Sequence, residues 1–307
     1  MEIILESKFA SRNQNPNLKI NDIHMFIQFF IDKNNERNNE ISQCLKNNIE
    51  NPYISNIHLL NEKIFSNSDM GIKCSSKIKQ VNIGKRLKFK HVFKYIRLNS
   101  LTGYFVIANT DIFFDSTIEH LKISTLHNNK HMFALLRYEY DGKNTENSLL
   151  FGPRFDSQDT WIFHSNNMIK KKQENLFNFE FGKPGCDNKI IYIMNILSYE
   201  VINDPTFIKI YHYHRSQIRN YSISDIILPP WGGIIPAGTN PITIIPSLGI
   251  DLQKIYKVKQ TKNENWTDLF HFSIFFAIKC LTWKYSLVGE IETISNIFLT
   301  KSICCSQ

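Results

Sequence analysis

Cysteine is scarce in this chain and never falls at metal-ligand spacing. Cys44, Cys74, Cys186, Cys280, Cys304 and Cys305 form no CxxC pair and no zinc-finger spacing. That excludes a zinc module, and a chain this long needs no disulfide scaffold to fold. Long apolar runs are missing too. The opening MEIILESKFASRNQN has no segment of signal-peptide length, and the most apolar stretch, Leu269 to Trp283, is too short for a bilayer and carries Lys279. A reducing, cytoplasmic setting without a membrane span is the expectation. No glycine occurs between Ile23 and Glu62, so that region holds no glycine-rich phosphate loop. No internal repeat, helix-turn-helix or RNA-recognition signature is present, and no nucleic-acid partner is expected.

What remains is the composition of an ordinary globular chain. Of 307 residues, 42% are hydrophobic and 21% charged, enough for a sizeable core. The net charge of +8 suits a polyanionic partner without selecting one. Asparagine, isoleucine, lysine and phenylalanine are abundant, which reads as AT-rich coding bias.

Apolar runs at Ile23–Phe30, Ile54–Leu60 and, more weakly, Lys77–Ile83 alternate with helix-compatible segments at Asn34–Asn51 and Phe89–Leu98. Tyr104–Ala108 is continuously apolar, as in a strand covered on both faces. A helix over Ser116–Leu126, strands at His131–Leu136 and Thr160–Phe163, a strong helix over Asp187–Glu200 and a last strand at Phe207–Ile210 follow. This order predicts an α/β fold with a mainly parallel sheet flanked by helices. Residues 1–20 read as a polar arm, 21–224 as the α/β domain and 225–307 as a C-terminal extension opened by the irregular LPPWGGIIPAGTNP.

Ligands of open α/β sheets sit beyond the carboxyl ends of the strands, so polar residues directly after apolar runs are the candidates. In YFVIANTDIFFD, Asn109 and Asp111 follow the buried strand. Asp111 is either a hard ligand for Mg²⁺ or Mn²⁺ or a turn and cap residue. In IYHYHRSQIRNY, His212 and His214 share one side of a strand and offer a further metal ligand, with Arg215 and Arg219 available to a diphosphate; a surface strand leading into a basic segment explains them equally. Asp187, at the start of a helix in FGKPGCDNKII, is an N-cap or a general base, and Cys186 beside it reads as a small buried residue. DSQDTWIF places Asp156, Asp159 and Trp161 before a strand, as in a sugar site or an ordinary acidic turn.

The segments QFFIDKNNERNNEISQCLKNNIENPYISNIHLLNE, RLKFKHVF, IANTDIFFD, ALLRYE, DSQDTWIF, GKPGCDNKI and HYHRSQIRNY stand in this order over residues 23–221. In that series the chain resembles glycosyltransferase-like proteins of the GT-A (nucleotide-diphospho-sugar transferase) superfamily. The resemblance implies a Rossmann-type GT-A fold and transfer of a sugar from a nucleotide-diphosphate donor to a glycan or other hydroxyl acceptor, with Mn²⁺ or Mg²⁺ as cofactor. It places Asn109-Thr110-Asp111 at the DxD motif, with asparagine in the first position, Asp111 as carboxylate ligand and His214 as the histidine ligand. Arg219 then reaches a phosphate, and Asp187 serves as base with Asp159 nearby. Gln28, Phe29, Asn61, Glu62 and Arg86 fall on the nucleoside side, and Arg137, Glu139, Asp156 and Asp159 on the sugar side. Three alternatives stay open: a sugar-phosphate nucleotidyltransferase, against which the missing glycine loop argues; a degenerate, non-catalytic binding module, which Asn109 allows; and a lid, acceptor-side or homodimer role for residues 225–307.

Overall fold

The structure is a computed structural model that describes residues 2–6, 22–152, 154–216 and 222–237. Arg219, the rest of the polar arm, and most of the extension including Leu269–Trp283 lie outside the described residues.

The chain opens with strand β1 (Glu2–Glu6), followed by β2 (Ile23–Ile27) and helix α1 (Asn35–Glu50). Asn34 caps α1 by accepting the Arg37 N–H, and Asn51 closes its other end. Next come β3 (Asn56–Asn61), β4 (Ile78–Asn82), α2 (Phe89–Leu98), β5 (Tyr104–Ala108) and the short β6 (Ile112–Phe114). After β7 (His131–Leu135), the two-residue strands β8 (Tyr138–Glu139) and β9 (Leu149–Leu150) precede β10 (Thr160–His164). Helix α3 (Cys186–Ile196), β11 (Glu200–Ile202), β12 (Ile210–His212) and β13 (Trp231–Ile235) complete the described fold.

Seven strands form the central sheet in the order β11-β7-β10-β5-β2-β3-β4. All neighbouring pairs are parallel except the two made by β10, which runs against β5 and β7. The expected α/β fold with a mainly parallel, helix-flanked sheet is therefore present. Side chains alternate between the faces with the strand period of two. Ile23, Met25 and Ile27 pack with Ile41 and Leu45 of α1, while Phe26 joins Val92, Phe93 and Ile96 of α2 and Ile190 and Ile193 of α3. Each such side chain, fully buried, contributes about 1.5–3 kcal/mol. On the α2 face a polar pair is sealed in: His24 Nδ1 lies 3.0 Å from His58 Nε2, and His58 Nδ1 lies 3.2 Å from the Tyr95 hydroxyl.

Several local expectations need correction. The helix expected over Ser116–Leu126 is present as a 3-10 helix that is capped by Asp115 and ends at Ile123. The strand expected at Phe207–Ile210 starts only at Ile210, because Asp204 binds the N–H groups of Thr206 and Phe207 in a turn. Residues 2–6 and 231–235, read as part of a polar arm and part of an irregular loop, pair with each other as parallel strands. The glycines of Trp231-Gly232-Gly233 are there for close approach. A Cβ on Gly233 would lie 2.3 Å from a Phe155 ring carbon, and one on Gly232 would lie 2.8 Å from the Tyr192 backbone nitrogen of α3.

Because β10 runs backwards, the residues before it lie at the same edge as the residues after β2, β3 and β5. Thr160 stands opposite Ala108, and the Asn109 N–H donates to Asp159 O at 3.0 Å. Everything needed for a site is thus collected along one edge of the sheet.

Candidate active site

A cleft of about 760 Å³ opens at that edge. One part of its lining comes from the ends of β5 and β12 with α1, and a second from α3 and the loop before it. Gln28 to Asp32, Glu62, Lys63 and Phe65 form the rim.

On the first wall, Asp111 follows β5 directly and is buried. The Thr110 hydroxyl donates to Gln28 O at 2.7 Å and pins the turn. Asp111 Oδ2 accepts from Arg37 Nη2 at 2.5 Å, and lies 3.2 Å from His212 Nε2 and 3.8 Å from His214 Nδ1. Burial alone would raise the Asp111 carboxyl. His212 and Arg37 outweigh it and hold the group well below the usual carboxylate range. His212 Nδ1 lies 2.9 Å from Glu139 Oε2, the arrangement by which a carboxylate orients a ligating imidazole. Burial and Arg137 lower the His212 pKa, but Asp111 and Glu139 carry it up to about 9; burial and Arg37 bring His214 down to about 4.

Asp111, His212 and His214 bring one ligand atom each within 4.8 Å of one another. One carboxylate and two imidazoles form a donor set that suits Mn²⁺ better than Mg²⁺, which favours oxygen ligands. Asn109 adds a second indication. Its Nδ2 donates to Asp159 Oδ1 at 2.7 Å, while its buried Oδ1, on the cleft, is an acceptor without a partner among the described residues. The residues present fit a divalent cation.

Behind this wall runs a chain of alternating charge. Glu139 accepts from Arg137 Nε at 2.7 Å, and Arg137 Nη1 donates to Asp159 Oδ2 at 2.7 Å and to Ser157 Oγ at 3.2 Å. Phe151 stacks beneath the Arg137 guanidinium, 3.8 Å from it.

The second wall centres on Asp187. The N-cap of α3 is Gly185, at φ 81°, where a Cβ would lie 3.1 Å from Ile227 O. Glycine is required there, and Asp187 falls in the first helical turn instead of capping it. Its carboxylate accepts from the N–H groups of Asn188 at 3.0 Å and Gln158 at 3.4 Å, and it forms no ion pair with a cation among the described residues. Burial, reinforced by the charges of Asp159 and Asp156, pushes its pKa up to about 7. Burial also pushes the Cys186 thiol up, in keeping with a packing role.

The other sequence candidates divide into two groups. Gln28, Phe29, Glu62, Arg86, Asn109, Arg137 and Asp159 line the cleft with Asp111, Asp187 and His214. Asn61, Glu139 and Asp156 stand outside its lining. Asn61 is fully buried and receives the Phe29 N–H at 2.8 Å, so it shapes the rim from below; Glu139 orients His212; Asp156 accepts from Arg154 Nε at 3.2 Å. The Gln28 side chain is spent on the backbone, with Nε2 donating to Lys85 O and Oε1 accepting from Leu87 N–H. Arg37 and Lys183 were not singled out by the sequence. His212 was, by its side-sharing with His214, but the resemblance selected only His214.

No protein-family model matches the chain, and no curated protein sequence matches it. Similar solved structures include a Pyrobaculum calidifontis mannosyltransferase, PcManGT, in complex with GDP-Man and Mn²⁺: 11% identity, TM-score 0.43, 68% of this chain and 61% of that one. They also include 4-diphosphocytidyl-2C-methyl-D-erythritol synthase from Anaerococcus prevotii, at 14% identity and TM-score 0.39 over 69% of this chain and 96% of that one. S. aureus TarS (residues 1–349) with UDP-GlcNAc matches at 9% identity and TM-score 0.38, over 65% and 62%. The chain thus spans less than two thirds of the mannosyltransferase and of the TarS fragment. Likeness at this level assigns no role to any residue. Among the described residues, no helix is long and apolar enough to cross a membrane.

Proposed function

We propose that the chain is a metal-dependent glycosyltransferase that moves a sugar from a nucleotide-diphosphate donor to an acceptor hydroxyl. The observation that carries this reading is a pairing within one cleft: a compact Asp111, His212 and His214 donor set lines the cleft that also holds the uncompensated carboxyl of Asp187.

Asp111, His212 and His214 would hold the cation, with the Asn109 Oδ1 acceptor beside them. A bound Mn²⁺ or Mg²⁺ supplies Lewis-acid stabilisation of the charge that grows on the departing diphosphate. Arg86 and Lys183, both on the cleft, would add positive charge for a diphosphate. Phe29 and Phe65, whose rings meet edge-on at 5.1 Å, give the rim an apolar floor for the nucleoside. Arg137 and Asp159 lock one another at 2.7 Å and present fixed polar groups to sugar hydroxyls. Asp187 takes the acceptor proton. A carboxyl whose pKa lies near 7 is a stronger base than a free one and is still ionised in part at neutral pH.

The test is a thermal-shift panel of nucleoside diphosphates and nucleotide sugars, each with and without Mn²⁺, on wild type and on Asp111→Ala. Stabilisation that needs both metal and one nucleotide, and is lost in Asp111→Ala, supports the reading and names the donor. A wild-type protein that melts identically under every condition sinks it.

A further inference from the structure

Arg37 has no part in the reading above, yet it makes the shortest polar contact to the proposed metal ligand. It sits on the first turn of α1, buried, with Nη2 at 2.5 Å from Asp111 Oδ2 and Nη1 at 3.1 Å from Glu40 Oε2. Glu40, one helical turn further on, also accepts the Ser216 N–H at 2.7 Å and the Ser216 hydroxyl at 3.0 Å. The guanidinium is therefore clamped by a residue that fastens the segment carrying His214, and it lines the cleft itself.

The oxygen that Arg37 occupies is the one nearest both histidines. A guanidinium fork and a divalent ion are alternative partners for it: the two positive charges repel, and one oxygen cannot accept the short Arg37 hydrogen bond and coordinate the ion in full at once. From this we infer that Arg37 is a built-in counter-cation of Asp111 that competes with the divalent ion, and that it swings from Asp111 towards the cleft, still held by Glu40, when the ion enters. In that position it faces the diphosphate side of the donor. Arg37 is a positioning residue in this scheme: it sets how tightly the empty enzyme holds metal. The inference rests on the Asp111 site of the proposed function.

The experiment is a Mn²⁺ titration followed by electron paramagnetic resonance of the free ion, without nucleotide. It compares wild type, Arg37→Met, the charge-balanced double variant Arg37→Met/Glu40→Gln, and Arg86→Met as a control that removes a cleft cation not touching Asp111. The double variant leaves no buried charge unpaired, so it carries the test if the single variant folds poorly. Both Arg37 variants should bind Mn²⁺ about tenfold more tightly or better, with Arg86→Met within about twofold of wild type. Adding Asp111→Asn to the double variant should abolish the gain. Equal or weaker binding in the Arg37 variants while wild type binds overturns the inference and leaves the metal site standing. An equal gain in Arg86→Met overturns it in favour of a general field effect. No binding by any protein at millimolar Mn²⁺ overturns both the inference and the metal reading.

Discussion

The two walls of the cleft each carry an aspartate, Asp111 buried and Asp187 half-buried, and the two carboxyls behave in opposite ways. Asp111 meets Arg37 and two imidazoles and is held well below the usual carboxylate range; Asp187 meets only N–H donors and other acids and is pushed up to about 7. Desolvation raises both carboxyls, so it does not separate them. The neighbours decide: where cations surround the carboxylate it stays ionised and can hold a metal, and where acids surround it the carboxyl can accept and release a proton near neutrality. One residue type is thereby held in two charge states within one cleft.

The sharpest way to break the contrast is to neutralise the first wall. Asp111→Asn should abolish Mn²⁺-dependent stabilisation and lower transfer at least about a thousandfold. It also leaves Arg37 with Glu40 as its carboxylate partner and should cost about 1–3 kcal/mol of folding free energy for the lost charged hydrogen bonds, measurable by denaturant titration. Transfer at a wild-type rate by folded Asp111→Asn would remove the cation from the mechanism.

Neutralising the second wall should separate binding from chemistry. Asp187→Asn is expected to reduce turnover about 10²–10⁴-fold while Mn²⁺ and donor still stabilise the protein. Equal losses of binding and turnover would contradict the division.

The pH dependence should follow Asp187 as well. Its folded pKa lies above the unfolded value of 3.8, so the folded state holds its proton more tightly. The associated stability is complete below about pH 4 and is lost as pH rises through about 7. Turnover should run the other way, rising through about pH 7 as the base ionises. Asp187→Asn should therefore flatten this part of the stability profile and melt higher than wild type at pH 8–9. A variant whose melting curve keeps the wild-type pH slope would show that another group titrates.

The smallest effect sharpens the contrast by touching one wall only. Gly233→Ala forces a Cβ against Phe155 behind α3 and should lower stability by about 1–3 kcal/mol. Its effect on turnover should exceed its effect on Mn²⁺ affinity, as read from the same titrations.

Legibility in the sequence followed the same physics. The central strands and the helices α1, α2 and α3 were readable because apolar residues recur at the strand and helix periods and their caps are local. Asp111 and Asp187 were readable because each follows an apolar run or opens a helix. Arg37 was hidden: it stands in the polar run NNERNNE, whose face looks solvated, and its partner is 74 residues away. Of the two acids in DSQDTW, nothing local tells that Asp159 reaches the cleft while Asp156 turns to Arg154. Strand β13 was hidden for another reason, since glycines needed for close contact look like those needed for a turn.

The amide at position 109 carries a last consequence. Its Nδ2 rests 2.7 Å from an Asp159 oxygen. An aspartate there would bring two carboxylates to hydrogen-bonding distance, where one must keep a proton. With the amide in place, Asp159 keeps its charge for Arg137 and the corner carries one carboxylate where two would compete for a proton.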